Sequence, residues 1–179
     1  EQEANSPVAI QNTGDASTVV TLTTFGVASQ PEPQGGNGYR IDREYYTLDG
    51  ERSSPDQVSS GDRLVAVITV QPFNSGDGRL MVSDPLPAGF EIDNPNLLQG
   101  GDVRALDWLK LSNRVQNTEF RQDRFLAAVD HGGTDPFQLA YIVRAVTPGT
   151  YHHPAATVTD MYRPEYRANT DQGELIVIP

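Results

Sequence analysis

The sequence contains no cysteine and a single lysine, Lys110, among its 179 residues. The missing cysteine excludes thiol catalysis and cysteine-based zinc sites, and a chain of this length buries enough surface to fold without disulfides. Basic residues are also scarce, since 13 Lys and Arg stand against 24 Asp and Glu and the formal net charge is −11. Nucleic acids and anionic membranes both select a basic face, so we predict no nucleic-acid partner and no direct membrane contact.

Signatures of catalysis are missing as well. The chain has no Gly-x-Ser-x-Gly elbow and no phosphate-binding glycine loop. His152 and His153 are adjacent, so on a strand they point to opposite faces, and His131 lies beside two glycines. We interpret all three as loop or surface histidines, and we interpret aspartates beside turn residues, such as Asp84 and Asp93, as turn and cap residues. The sequence therefore predicts no enzyme, no catalytic residue, no metal site and no cofactor.

β-Branched and aromatic residues dominate instead, in short runs separated by turn residues. The strongest run, residues 64–70, is almost continuously apolar, which predicts a strand buried on both faces. Alternation over residues 39–47 places Tyr39, Ile41, Arg43 and Tyr45 on one face. The predicted strands cover residues 8–11, 18–25, 39–47, 64–70, 79–83, 119–121, 125–129, 137–146, 154–160 and 174–178. This pattern predicts an all-β fold, an antiparallel two-sheet β-sandwich of macroglobulin or immunoglobulin-like type with Greek-key connections.

One helix at most is expected, over residues 94–111, where leucines and Val103 recur on one side. We interpret Trp108, within this stretch, as a core residue rather than as part of a carbohydrate-binding surface. A Pro- and Gly-rich stretch at residues 30–38 is typical of a linker. We therefore expect residues 1–37 to hold lead-in strands and a linker, within the same domain or as the tail of a preceding one, and residues 38–179 to form the sandwich. Because the chain begins with Glu1, we expect it to be a fragment or processed piece.

The most distinctive stretch lies near the end of the chain. A strand-like run leads to Asp160 and is followed by Met161, Tyr162 and Pro164. Proline has no N–H for a ladder, so the strand must end before it and deliver Met161 and Tyr162 to a rim of the sheet. Large apolar groups at a rim either fold back on their own domain or contact another surface.

Three segments of the sequence carry a resemblance to a known family. They are Gly38-Tyr39-Arg40-Ile41 with the following Tyr45-Tyr46 and Leu48-Asp49-Gly50, then Asp84 to Pro95, then Asp160-Met161-Tyr162-Arg163-Pro164-Glu165-Tyr166-Arg167-Ala168. Together they resemble the C-terminal macroglobulin-like domain (MG10) of bacterial α2-macroglobulins, the counterpart of the receptor-binding domain in the animal proteins. The resemblance extends from about Tyr39 to the end of the chain, and the Met-Tyr-Arg-Pro segment is its most specific part.

The resemblance implies a non-catalytic domain of a periplasmic, lipid-anchored, broad-spectrum protease inhibitor. In that family a protease cuts a bait segment, and a Cys–Gln thioester in another domain is then exposed and captures the protease. The C-terminal domain packs on this thioester domain and shields the thioester from water until activation. The resemblance assigns the shielding to Met161 and Tyr162 and implies a supporting interface of Arg163, Pro164, Glu165 and Tyr166. The implied partners are the thioester domain of the same polypeptide and the trapped proteases.

An alternative interpretation starts from the turn between Asp84 and Glu91, Asp-Pro-Leu-Pro-Ala-Gly-Phe-Glu. Similar turns occur in repeated β-sandwich modules of bacterial surface proteins, which favours a structural or adhesive module. Many such modules contain Lys–Asn isopeptide cross-links, and here only Lys110 could supply the amine.

Overall fold

The described strands all lie in the second of two compact units, residues 1–30 and residues 31–179. This is a computed structural model, and it describes residues 9–23, 25, 32–73, 76–93, 107–109, 111 and 114–179. In the first unit the described residues form a bend and no strand. The strands predicted at 8–11 and 18–25 are therefore wrong over the part that is described. A β-branched run forms a strand only where its backbone finds a partner, and here Val19 and Phe25 are each 94% exposed.

The described part of the second unit contains fourteen strands and no helix. They are β1 (Gly35–Asn37), β2 (Tyr39–Tyr46), β3 (Arg52–Ser53), β4 (Val58–Ser59), β5 (Arg63–Pro72), β6 (Gly78–Pro85), β7 (Phe90–Asp93), β8 (Val115–Phe120), β9 (Arg124–His131), β10 (Phe137–Ala145), β11 (Gly149–His153), β12 (Thr157–Asp160), β13 (Arg167–Asn169) and β14 (Gly173–Ile178). No helix in the described residues is long and apolar enough to cross a membrane.

Two large antiparallel sheets form the predicted sandwich. One sheet has the order β1-β13-β12-β6-β9-β8 and the other has the order β3-β2-β5-β10-β7. A third, three-stranded sheet, β11-β14-β4, joins β14 to β4 in parallel. The strand β1 lies in the stretch expected to be a linker, yet it pairs with β13. The all-β sandwich is confirmed.

Burial follows the alternation of side chains along the strands. In β5, Leu64, Ala66, Ile68 and Val70 face the other sheet, while Val65 and Val67 belong to a second apolar cluster on the outer face. This strand lies between β2 and β10, so the predicted burial on both faces is confirmed. The inward face predicted for β2 is confirmed too, with Tyr39, Ile41 and Tyr45 in the main core. Apolar residues therefore cover both faces of this sheet at its central strands β5 and β10.

Trp108 covers the outer apolar cluster. Its ring lies 5.1 Å from that of Tyr46, and its Nε1 donates to the carbonyl of Leu48 at 3.1 Å. It also lies against Gly50, whose φ of 88° marks the turn after β2. Trp108 is therefore half-buried against this outer cluster and is not a residue of the main core, where the sequence had placed it. The described residues 107–109 and 111 hold a turn rather than a helix, and the rest of the helix predicted at 94–111 lies outside the described residues.

A buried ion pair connects the two large sheets. Arg43 of β2 donates to Asp84 of β6 at 2.5 Å, and both side chains are almost fully buried. Tyr141 of β10 donates to the second oxygen of Asp84 at 2.8 Å, and Arg43 also donates to the carbonyl of Pro154 at 2.9 Å. Burial raises the pKa of the Asp84 carboxyl, and the neighbouring guanidinium opposes that rise. Asp84 is thus a core residue that connects the sheets, and its interpretation as a turn residue is wrong.

Candidate functional site

The candidate site is the turn between β12 and β13, from Asp160 to Tyr166, called the 160–166 turn below. Its two strands are neighbours in the six-stranded sheet, and β12 also pairs with β6. The Asp160 amide donates to the carbonyl of Tyr166 at 3.0 Å, which closes the base of the turn. The Met161 amide donates to the carbonyl of Arg79 at 2.8 Å and holds the turn against β6. The turn is therefore fixed at both of its ends.

The side chain of Asp160 organises the turn from within. It is 1% exposed, and one carboxylate oxygen accepts the amides of Tyr162 at 3.0 Å and Arg163 at 3.2 Å. The other oxygen accepts Nε and Nη2 of Arg163 at 3.0 and 2.7 Å. Burial acts to raise the pKa of this carboxyl, but the hydrogen bonds from Tyr162 and Arg163 outweigh it and the pKa is lowered. The carboxylate therefore sets the backbone direction at the two residues that follow Met161.

Pro164 occupies the second position of a tight β-turn. The Tyr166 amide donates to the carbonyl of Arg163 at 2.9 Å, so residues 163–166 form the turn. Proline suits this position because its ring presets the φ angle that the turn requires. Glu165 is held from outside, since its carbonyl accepts the Asn37 side chain at 2.8 Å. The rigid turn limits the conformations open to the exposed residues before it.

Tyr166 supports the turn from below. It is partly buried against the main core, and the guanidinium of Arg163 lies 5.3 Å from its ring centroid. Its ring also lies over Gly38, where an added Cβ would come within 2.6 Å of the tyrosine. Gly38 has a φ of 76°, so both the space and the backbone conformation require glycine there. Tyr166 thus couples the 160–166 turn to the start of β2.

Met161 and Tyr162 point away from the core. Met161 is 54% exposed and Tyr162 is 73% exposed, while the residues of β12 that precede them alternate between buried and partly buried. The structure thus brings Met161, Tyr162 and the predicted supporting residues Arg163, Pro164, Glu165 and Tyr166 into one turn. Sequence reasoning missed Asp160 as the residue that organises it. Aspartate often accepts the backbone amide two residues later in an Asx-turn, so its place just before the Pro164 turn could have identified it.

The histidines differ from their predicted positions in two cases. His153 is 4% exposed, and its Nε2 lies 2.9 Å from the hydroxyl of Tyr45. Burial, with Arg43 nearby, lowers the pKa of His153 to about 3. His131 is also 4% exposed, at the end of β9 and against Phe137. The loop or surface interpretation is therefore wrong for both, because each side chain faces inward at a strand end, whereas His152 is exposed.

Other candidate sites hold structural pairs. Asp93 is buried and accepts Nε of Arg63 at 2.7 Å, so its interpretation as a cap residue is wrong. Among the residues that the structure describes, no group of three or more acidic or histidine side chains could hold a metal ion. The isopeptide interpretation depends on Lys110, which lies outside the described residues.

Comparison with known proteins identifies relatives of this chain. Residues 38–165 match the family of the bacterial alpha-2-macroglobulin MG10 domain. Alpha-2-macroglobulin of Escherichia coli is 34% identical over 94% of this chain and 11% of its own length. The chain spans about a tenth of the length of the curated relatives it matches.

Solved structures agree with this match. Native alpha-2-macroglobulin from Escherichia coli, in a crystal structure from domain MG7 to the C-terminus, is 35% identical with a TM-score of 0.73. The match covers 84% of this chain and 25% of that one. Escherichia coli alpha-2-macroglobulin activated by porcine elastase is 36% identical with a TM-score of 0.75, over 84% of this chain and 14% of that one.

Proposed function

Because the chain belongs to the bacterial alpha-2-macroglobulin MG10 domain family, we propose that it is the non-catalytic C-terminal domain of a protease inhibitor. In this proposal the domain packs on the thioester domain of the same polypeptide and keeps water from the thioester until a protease cuts the bait segment. Met161 and Tyr162 form the shield, and Arg163, Pro164, Glu165 and Tyr166 support it. The observation that carries the proposal is the exposure of Met161 and Tyr162 on a fixed turn.

The chemistry of the two side chains suits a dry cover. A thioester is lost when water or an amine reaches its carbonyl carbon, so a shield must exclude small polar molecules. The flat ring of Tyr162 supplies area with few rotatable bonds, and the flexible thioether of Met161 can fill the remaining gaps. The Asp160 carboxylate and Pro164 hold the backbone in place before contact, so little conformational entropy is lost on docking.

The shield must also release. Interfaces between domains of one chain are modest in area and more polar than permanent ones, so a rearrangement after bait cleavage can separate the two domains. The surroundings of Tyr162 fit this requirement. An open cleft of about 470 Å³ beside it is lined by charged residues that include Arg79, Asp130 and Arg163. A small apolar centre with charged surroundings favours a reversible contact over a permanent one.

The wider setting follows from the same family. We propose a periplasmic parent protein that is lipid-anchored outside this chain, with trapped proteases as its external partners. The relative activated by porcine elastase supports a response to proteases.

For residues 1–37 two assignments were predicted, to the same domain or to the tail of a preceding one. The exposed Val19, Leu22 and Phe25 favour the preceding domain, because apolar side chains this exposed need to be covered by another surface.

The test uses the full-length protein that contains this chain. Tyr162→Gly should accelerate the reaction of the thioester with methylamine by at least about tenfold, the factor for loss of about 1.4 kcal/mol of buried aromatic contact. Tyr162→Phe is the matched control, since it keeps the ring, and it should react at close to the native rate. Release of the thioester thiol measures both rates. A Tyr162→Gly protein that reacts as slowly as native would contradict the proposal.

A further inference from the structure

Three large apolar side chains are exposed among the described residues of the 31–179 unit. Two of them, Met161 and Tyr162, are used by the proposed function. The third is Phe73, which is 58% exposed. Aromatic residues are enriched at the centres of protein interfaces, and an exposed phenylalanine gains nothing from water. The place of Phe73 relative to Met161 and Tyr162 decides whether it belongs to the same surface.

Phe73 lies at the end of β5, close to the support of the 160–166 turn. Pro72, the last residue of β5, pairs with Tyr39 of β2. The amide of Phe73 donates to the carbonyl of Gly38 at 3.0 Å. Gly38 is the residue against which the Tyr166 ring packs. One glycine thus connects the backbone of Phe73 to the turn that presents Met161 and Tyr162.

A second connection runs through Asp77. The carbonyl of Asp77 accepts Nη2 of Arg163 at 2.8 Å. Asp77 follows Phe73 by four residues, and four Cα steps span at most about 15 Å. Phe73 is therefore within about 15 Å of a residue bonded to the 160–166 turn. Both connections place the three exposed apolar side chains at the same end of the sandwich.

We infer that Phe73 is a third contact residue of the surface that docks on the thioester domain. This inference rests on the proposed function, because it extends the same contact from Met161 and Tyr162. An interface of about 800 Å² per partner is about 30 Å across, so one centred on this end of the sandwich includes Phe73. Exposed Arg40 and Arg79 then belong to its polar rim, as is usual around an apolar centre.

The geometry also separates two tasks. Tyr162 stands on a tight turn and can enter a recess in the partner, whereas Phe73 lies at a strand end and adds contact area beside it. Phe73 should therefore hold the two domains together without itself covering the thioester. Its loss should increase the fraction of time for which the shield is open, while the shield residues remain intact.

The experiment compares variants of the full-length protein by their reaction with methylamine. Phe73→Ser should react about fivefold faster than native, the factor for losing about half of the burial free energy of a phenylalanine. Phe73→Leu keeps an apolar side chain and should react close to native. Thr118→Ala, on the exposed strand β8, is the control for an unrelated surface change and should match native. Melting temperatures should be equal in all of these proteins, because both positions are largely exposed.

Tyr162→Gly measured in parallel separates the two proposals. If Tyr162→Gly reacts faster while Phe73→Ser matches Thr118→Ala, the role of Phe73 is refuted and the shield stands. If Tyr162→Gly and Phe73→Ser both react at the native rate, the proposed function fails, and the inference about Phe73 fails with it. Faster reaction of Phe73→Ser, with recovery in Phe73→Leu, supports the inference.

Discussion

Replacing Asp84 with alanine tests how the sandwich is held together. The substitution removes the partner of Arg43, whose side chain is 6% exposed, and the acceptor of the Tyr141 hydroxyl. An unpaired buried charge costs about 3–5 kcal/mol. A buried hydroxyl without an acceptor adds about 1 kcal/mol or more. Together we expect a loss of about 4–6 kcal/mol, a large part of the 5–15 kcal/mol typical of a domain.

Urea denaturation of the chain, followed by tryptophan fluorescence, measures this loss. With a slope of about 2 kcal/mol per molar urea, the midpoint should fall by about 2–3 M. Asp123→Ala is the matched control, because Asp123 forms a solvent-accessible ion pair with Arg124 at 2.8 Å, and its midpoint should stay near the native value. A midpoint for Asp84→Ala equal to that of the control would refute the reasoning.

A rescue variant separates burial of charge from simple loss of contacts. The triple change Arg43→Met, Asp84→Leu and Tyr141→Phe removes the three interacting side chains together and leaves only the Pro154 carbonyl without its donor. Replacing a buried ion pair with apolar side chains of similar volume is often neutral or stabilising, so the triple variant should regain most of the lost stability. If it is no more stable than Asp84→Ala, the loss comes from packing and not from the stranded charge.

Three further predictions concern the turn, the pH response and the outer face. Asp160→Ala should increase the rate of hydrogen exchange at the Tyr162 amide by about tenfold, the factor for one lost hydrogen bond. Mass spectrometry measures this rate, and an unchanged rate would contradict the role of Asp160. Burial lowers the pKa of folded His153 to about 3, so below about pH 6.5 the unfolded chain binds a proton that the folded chain does not. Between about pH 6.5 and pH 5 the free energy of unfolding should therefore fall by about 1.6 kcal/mol more in the native protein than in His153→Gln. Equal pH dependence of the two proteins would refute this. Trp108→Ala should lower the free energy of unfolding by about 2 kcal/mol, because the half-buried indole covers Tyr46 and Gly50. Urea denaturation followed by circular dichroism measures this loss, and an unchanged free energy would show that the indole is dispensable.

The long strands could be predicted because the hydrophobic pattern of their own residues is enough to identify them. β5 is an unbroken apolar run, and β2 and β10 alternate with period two, so burial and strand direction follow from the pattern alone. Short strands such as β7 and β11 were not predicted, because they lie beside proline and glycine and form only through pairing with β10 and β14. The strand predicted at 18–25 fails for the reverse reason, since its propensity is high but the described residues of that unit supply no paired neighbour.

The chemistry of single residues was harder to predict. Asp84 precedes a proline, which predicts a turn residue. Only the packing of the two sheets shows that it is paired with Arg43. His153 likewise looks exposed in a polar context but lies under Tyr45. The exposed position of Met161 and Tyr162 could be predicted because proline ends the strand beside them, which is a local rule. That of Phe73 could not, because its exposure depends on where β5 ends relative to Gly38.

Oxidation of the two methionines tests the central proposal most directly. Met161 is 54% exposed on the 160–166 turn, whereas Met81 is partly buried in β6 and serves as an internal control. In the full-length protein, peroxide treatment followed by peptide mass spectrometry should show Met161 protected before activation. After elastase has cut the bait segment, sulfoxide formation at Met161 should rise by about tenfold, the factor for uncovering about 1.4 kcal/mol of contact, while Met81 stays constant. Equal oxidation of Met161 before and after activation would contradict the shield.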